Sequence, residues 1–163
     1  MKRNVGQAIG ETVFDILYLL TVIIAGIILL NGAAFASQRW WFGVMALVLG
    51  GGDSFHLIPR MIALWTTGFE NHAQSLGIGK AITSITMTGF YVILWTIGLQ
   101  HYPAILPAFW TSIIYGLALL RIVLCLLPIN HWTTDQSSVR WGIIRNVPFV
   151  LLGALVMGLF IGG

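Results

Sequence analysis

Apolar residues run along this chain in five long blocks, each separated from the next by a short cluster of turn formers and polar residues. The blocks cover about residues 12–31, 40–65, 79–100, 104–127 and 139–161. Each has the roughly 20 residues that a helix needs to cross about 30 Å of hydrocarbon. The breaks carry recognisable stop signals. Asn31-Gly32 ends the first block and Thr66-Thr67-Gly68 the second. Gln100-His101-Tyr102-Pro103 makes a tight link, and Pro128-Ile129-Asn130 stops the fourth block. The pattern predicts an all-α polytopic membrane protein, with residues 1–163 forming a single bundle of five transmembrane helices.

Composition narrows the class. The chain is 58% hydrophobic and 8% charged, with a mean hydropathy of +0.91. Soluble domains carry about 25% charged residues, so a soluble fold is excluded. The net charge of +3 does not point to nucleic acid, because the eight Lys and Arg are scattered singly. In a membrane protein they set orientation instead. Lys2, Arg3, Arg60, Lys80, Arg121, Arg140 and Arg145 fall on the side of the N-terminus, and only Arg39 falls opposite. The expected topology therefore has a cytoplasmic N-terminus and a C-terminus outside. Trp40, Trp41, Trp65, Trp132 and Trp141 sit near block ends, where amphipathic rings favour the headgroup region. Met1-Lys2-Arg3 and Ala34-Phe35-Ala36 together resemble a cleavable leader. Glu11 and Asp15 ahead of the apolar run argue instead for a retained spanning helix. Cys125 stands alone in an apolar run, which allows no internal disulfide.

The chemistry lies where the apolar pattern is broken. In "GGGDSFHLIPR", residues 50–60, Asp53, His56 and Arg60 share one helical face within an arc of about 60°. Glu11, Asp15 and Tyr18 share a face of the first helix, and Lys80, Ser84, Thr88 and Tyr91 form a stripe on the third. Arg121 lies near the inner end of the fourth helix, and Arg145 with Asn146 near that of the fifth. An ionised side chain facing lipid costs about 2.5–3.5 kcal/mol, and such groups usually face the bundle interior in pairs. Snorkelling accounts for Arg60 and Arg121 at a boundary, but Asp53 is too short and too deep to reach either surface. The expectation is one water-accessible cavity opening to the cytoplasm, fed by all five helices. In it, Asp53, Asp15 and Glu11 would offset Arg60, Arg121 and Arg145, and His56 would donate to Asp53. Backbone features fit such a cavity. Gly50-Gly51-Gly52 permits close approach, while Pro59 and Pro148 interrupt helical hydrogen bonding beside it. A fifth helix starting at Pro148 would be too short to cross, so Pro148 is expected inside a helix that begins near Ser138.

Four stretches, "GGDSFHLIPR", "SITMTGFYVILW", "RIVLCLLPINHW" and "IIRNVPFVLLG", resemble an uncharacterised family of small bacterial multi-spanning membrane proteins over residues 45–155. That resemblance implies location in a bacterial cell membrane and no particular activity. Asp53, Ser54 and His56 also supply residue types found in the alkaline ceramidase and adiponectin-receptor superfamily of zinc-dependent membrane hydrolases. The spacing differs, and the paired His-x-x-x-His of that superfamily's last helix is missing, so no metal site is expected. Which cofactor the chain uses, if any, is left open.

Three functions stay open. The first is an enzyme acting on, or a protein binding, a lipid or amphiphile with an anionic headgroup. Asp53 and His56 would then form a catalytic acid–base pair, and Arg60, Arg121, Arg145, Asn146, Ser84 and Tyr91 would bind the ligand. The second is a small proton-coupled carrier, in which Asp53 and His56 titrate, with a homodimer packed through Gly158-x-x-x-Gly162. The third is a non-catalytic assembly partner whose buried ions hold helix register.

Overall fold

The computed structural model describes residues 5–66, 68–102, 108–134 and 138–162. Its long helices are α1 (Val5–Leu30), α2 (Gln38–Trp65), α3 (Ala73–His101), α4 (Ala108–Leu126) and α5 (Val139–Gly162). Short 3-10 turns, Glu70–His72 and Pro128–Asn130, precede α3 and follow α4. All five long helices are long and apolar enough to cross a membrane. The predicted start of the fourth span at residue 104 lies outside the described residues, as do Lys2 and Arg3 of the orientation count.

Two helices start earlier than the apolar pattern suggests. α1 reaches back to Val5 because its polar first turns have partners: Glu11 accepts from Gln7 at 2.8 Å and pairs with Arg60. α3 begins at Ala73 because the turn at Glu70–His72 leads straight into it. At the far face, Ser37 caps α2 by accepting from the Trp40 amide. There Arg39 donates to the carbonyls of Ile28, Leu29 and Asn31. The one cation expected on that face thus satisfies the orphan carbonyls at the end of α1. α2 runs unbroken through Pro59 and α5 through Pro148.

The helices form a row joined to a trio. α1 packs on α2 and α2 on α3, while α3, α4 and α5 contact one another. Lipid offers apolar groups no incentive to leave it, so helices in a membrane associate through close packing and polar contacts. Small residues supply that closeness here. A Cβ on Gly26 or Gly43 would press into the other helix, and one on Gly52 would collide with Thr86. A Cβ on Gly79 would strike the Phe55 carbonyl and the His56 α-carbon. The densest core, Trp95, Ile114, Ala118, Leu152, Val156 and Leu159, fills the half of the trio away from the N-terminal face. Leu17, Ile28, Leu119 and Val150 project outward with about half or more of their surface open, as suits helices surrounded by acyl chains.

Candidate functional site

At the end of the bundle where α1, α3 and α5 begin and α2 and α4 finish, a cavity of about 440 Å³ opens between α2, α3 and α5. α2 lends it His56 and Arg60, α3 lends Lys80, α5 lends Arg145, and the segment after α4 lends His131 and Trp132. Glu70 is the one carboxylate on its wall among the described residues.

Glycines bring the segments around the cavity together. Gly77 lets the Trp132 carbonyl touch the α3 backbone, and Gly79 lets the α2 backbone at Phe55 and His56 do the same. The wall after α4 is organised by Asn130, which is 1% exposed. Its amide reaches the carbonyls of Leu124, Cys125 and Leu127 at 2.6–3.2 Å, and its Oδ1 accepts from Arg145 at 2.9 Å. Trp132 Nε1 adds a bond to the Cys125 carbonyl, so Trp132 is held flat enough to receive Arg145 over its ring at 4.0 Å. His131 turns the chain there through left-handed backbone, φ 47°, which only a minority of non-glycine residues adopt.

The charges do not pair as expected. Among the described residues, Arg60 is the one arginine that finds a carboxylate, Glu11, at 2.8 Å. Arg145 is held by an amide oxygen and an indole. Arg121 stacks at 3.5 Å on Phe149 and is 4% exposed, with Nε and Nη1 unpartnered. No carboxylate of the described residues bonds Lys80, Arg121 or Arg145. Asp53 accepts instead from the Tyr18 hydroxyl at 2.7 Å, and the expected bond from His56 to Asp53 is not formed.

The single convergence of all five helices resolves into three neighbourhoods. Glu11, Asp15, Tyr18 and Asp53 lie in the α1–α2 seam. Arg121 is enclosed among α3, α4 and α5. His56, Arg60 and Arg145 share the cavity between them. Helix order explains the split, since α1 touches α2 and makes no extensive contact with α4 or α5. Ser84 donates to the Lys80 carbonyl and Thr88 to that of Ser84, so the α3 stripe bonds back on its own helix. Tyr91 stands edge-on to Phe149 at 5.0 Å, beneath Arg121. Asn146 bonds the Gly142 carbonyl and borders a separate shallow hollow on the outer side of α5.

Sequence reasoning named Lys80 in the polar stripe of α3 but did not find Asn130 or Trp132 as cavity walls. It read Pro128-Ile129-Asn130 as a stop signal. The signal that could have found them is an Asn at a helix end two residues before a Trp, a side-chain cap beside an aromatic surface. Among the described residues no three of His, Cys, Asp and Glu stand close enough to hold a metal ion.

No family model, curated protein or solved structure matches the chain. The functional reading therefore rests on the cavity itself.

Proposed function

We propose that this chain binds an amphiphile with an anionic headgroup, such as an acidic membrane lipid, in the cavity between α2, α3 and α5. The observation that carries the reading is the charge balance of its wall. Arg60, Lys80 and Arg145 face it against Glu70, and neither Lys80 nor Arg145 has a carboxylate partner among the described residues. Uncompensated cations within a membrane are costly, and a phosphate-type group would accept from both while its acyl chains stay in lipid. The excess of Lys and Arg on this side supports a cytoplasmic N-terminus and a ligand drawn from the inner leaflet. The resemblance to small bacterial membrane proteins supports the plasma membrane of a bacterium as the location.

Binding has more support than catalysis by Asp53 and His56, because Tyr18 occupies Asp53 and the two groups do not meet. A homodimer draws support from Gly158 and Gly162, where a Cβ would meet nothing within 4 Å.

The test is native mass spectrometry and thermal melting of the purified protein with phosphatidylglycerol or phosphatidylcholine. Phosphatidylglycerol is expected to bind preferentially, and the double variant Lys80→Gln, Arg145→Gln to lose that preference. Glycerol phosphate competing as well as the lipid would assign the same site to a soluble anion. Equal binding of both lipids, with no effect of glycerol phosphate, would overturn the reading.

A further inference from the structure

Between α1 and α2 the ionisable groups form a ladder. Tyr18, Asp15 and Glu11 step along α1 by three and then four residues, and Asp53, His56 and Arg60 step the opposite way along α2 by the same intervals. The outer rungs are closed, Tyr18 to Asp53 at 2.7 Å and Glu11 to Arg60 at 2.8 Å. The middle rung, Asp15 opposite His56, has no direct bond. Yet Asp15 is 6% exposed, and Asp15 Oδ2 and His56 Nδ1 are both shut away from solvent without a hydrogen-bond partner. Each of the two groups lies within electrostatic reach of the other. A buried carboxylate oxygen and a buried imidazole nitrogen left unmet are each unfavourable. His56 also borders the cationic cavity, so one ring stands between a buried acid and the anion site.

We infer that the Asp15–His56 rung is a proton site coupled to the cavity: an anion and one proton bind together, the proton on His56. This rests on the anion-binding reading above. The charged groups around the ring give the reason. Asp15 from α1 and Asp53 from its own helix place negative charge near the ring, and Lys80 from α3 and Arg60 place positive charge near it. Across the cavity stand Arg145, His131 and Glu70. An anion in the cavity offsets the opposing cations, and the imidazole then gains a proton from bulk water to become an imidazolium facing Asp15. Nothing is oxidised and no covalent bond to the ligand forms. Because linkage is reciprocal, the same proton strengthens anion binding.

The experiment measures phosphatidylglycerol binding to the full chain between pH 5 and 8, a range in which its phosphodiester keeps one negative charge. Calorimetry in two buffers of different ionisation enthalpy counts protons taken up. Affinity is expected to fall by up to about tenfold per pH unit over part of that range, with net proton uptake on binding. His56→Gln abolishes that slope, Asp15→Asn displaces or abolishes it, and His131→Gln retains it. A preference for phosphatidylglycerol that is independent of pH would overturn this inference alone. So would a slope that survives in His56→Gln, or one lost in His131→Gln. No preference for phosphatidylglycerol at any pH would overturn the anion-binding reading first.

Discussion

The Tyr18 hydroxyl donates to Asp53 Oδ2 across the α1–α2 seam at 2.7 Å, so the one carboxylate of α2 is answered by a neutral donor. A carboxylate beside a phenol can stay in the membrane without a cation, which frees the arginines of α4 and α5 for other contacts. Tyr18→Phe removes that donor and leaves the acid half-buried. The expected loss is about 1–2 kcal/mol, read as a lower melting temperature in detergent. Combined with Asp53→Asn, the two losses should fall short of their sum. A fully additive pair would mean that the bond carries nothing.

The Glu11–Arg60 pair is a weaker contact despite its length. Its side chains are 25% and 38% exposed, so water screens it. A double-mutant cycle with Glu11→Gln and Arg60→Gln should give a coupling below about 1 kcal/mol, falling further in high salt.

Gly79 is expected to tolerate nothing larger. The Cβ of Gly79→Ala would meet backbone of α2 rather than a flexible side chain, so α2 and α3 must part. The cost is about 1–3 kcal/mol, and the cavity changes shape with it. Gly116→Ala, where a Cβ meets nothing within 4 Å, serves as the control and should leave the melting temperature near that of the natural chain.

Asn130 joins fold and site in one side chain. Asn130→Ala strips the carbonyls at the end of α4 of their donor and frees Arg145 from its acceptor. A loss of about 2–3 kcal/mol is expected, with a reduced preference for phosphatidylglycerol over phosphatidylcholine. Loss of stability with unchanged lipid preference would separate Arg145 from the ligand.

Arg121 depends on the ring of Phe149 at 3.5 Å. Phe149→Leu should cost about 1–2 kcal/mol through the lost cation–π contact. In an Arg121→Met background the same substitution should cost less, because no buried guanidinium remains to need the ring. Melting curves of the four proteins decide it.

Read along the chain alone, the residues settle what is local: the number and approximate extent of the long helices, the stop signals at Asn31-Gly32 and Pro128-Ile129-Asn130, and which polar groups share a face. Asp53, His56 and Arg60 fall on one stripe because a helix has 3.6 residues per turn, whatever it packs against. The length needed to cross a membrane places Pro148 within α5. Which stripe meets which could not be read in the same way, since it depends on the order of helices in the bundle. Only the tertiary structure set Tyr18 against Asp53, gave Arg121 and Arg145 aromatic faces in place of carboxylates, and left Asp15 and His56 opposed without a bond. Contacts between distant segments obey packing, and here glycines at 77 and 79 decide how near the helices come. A residue's own neighbours in sequence carry no record of that distance.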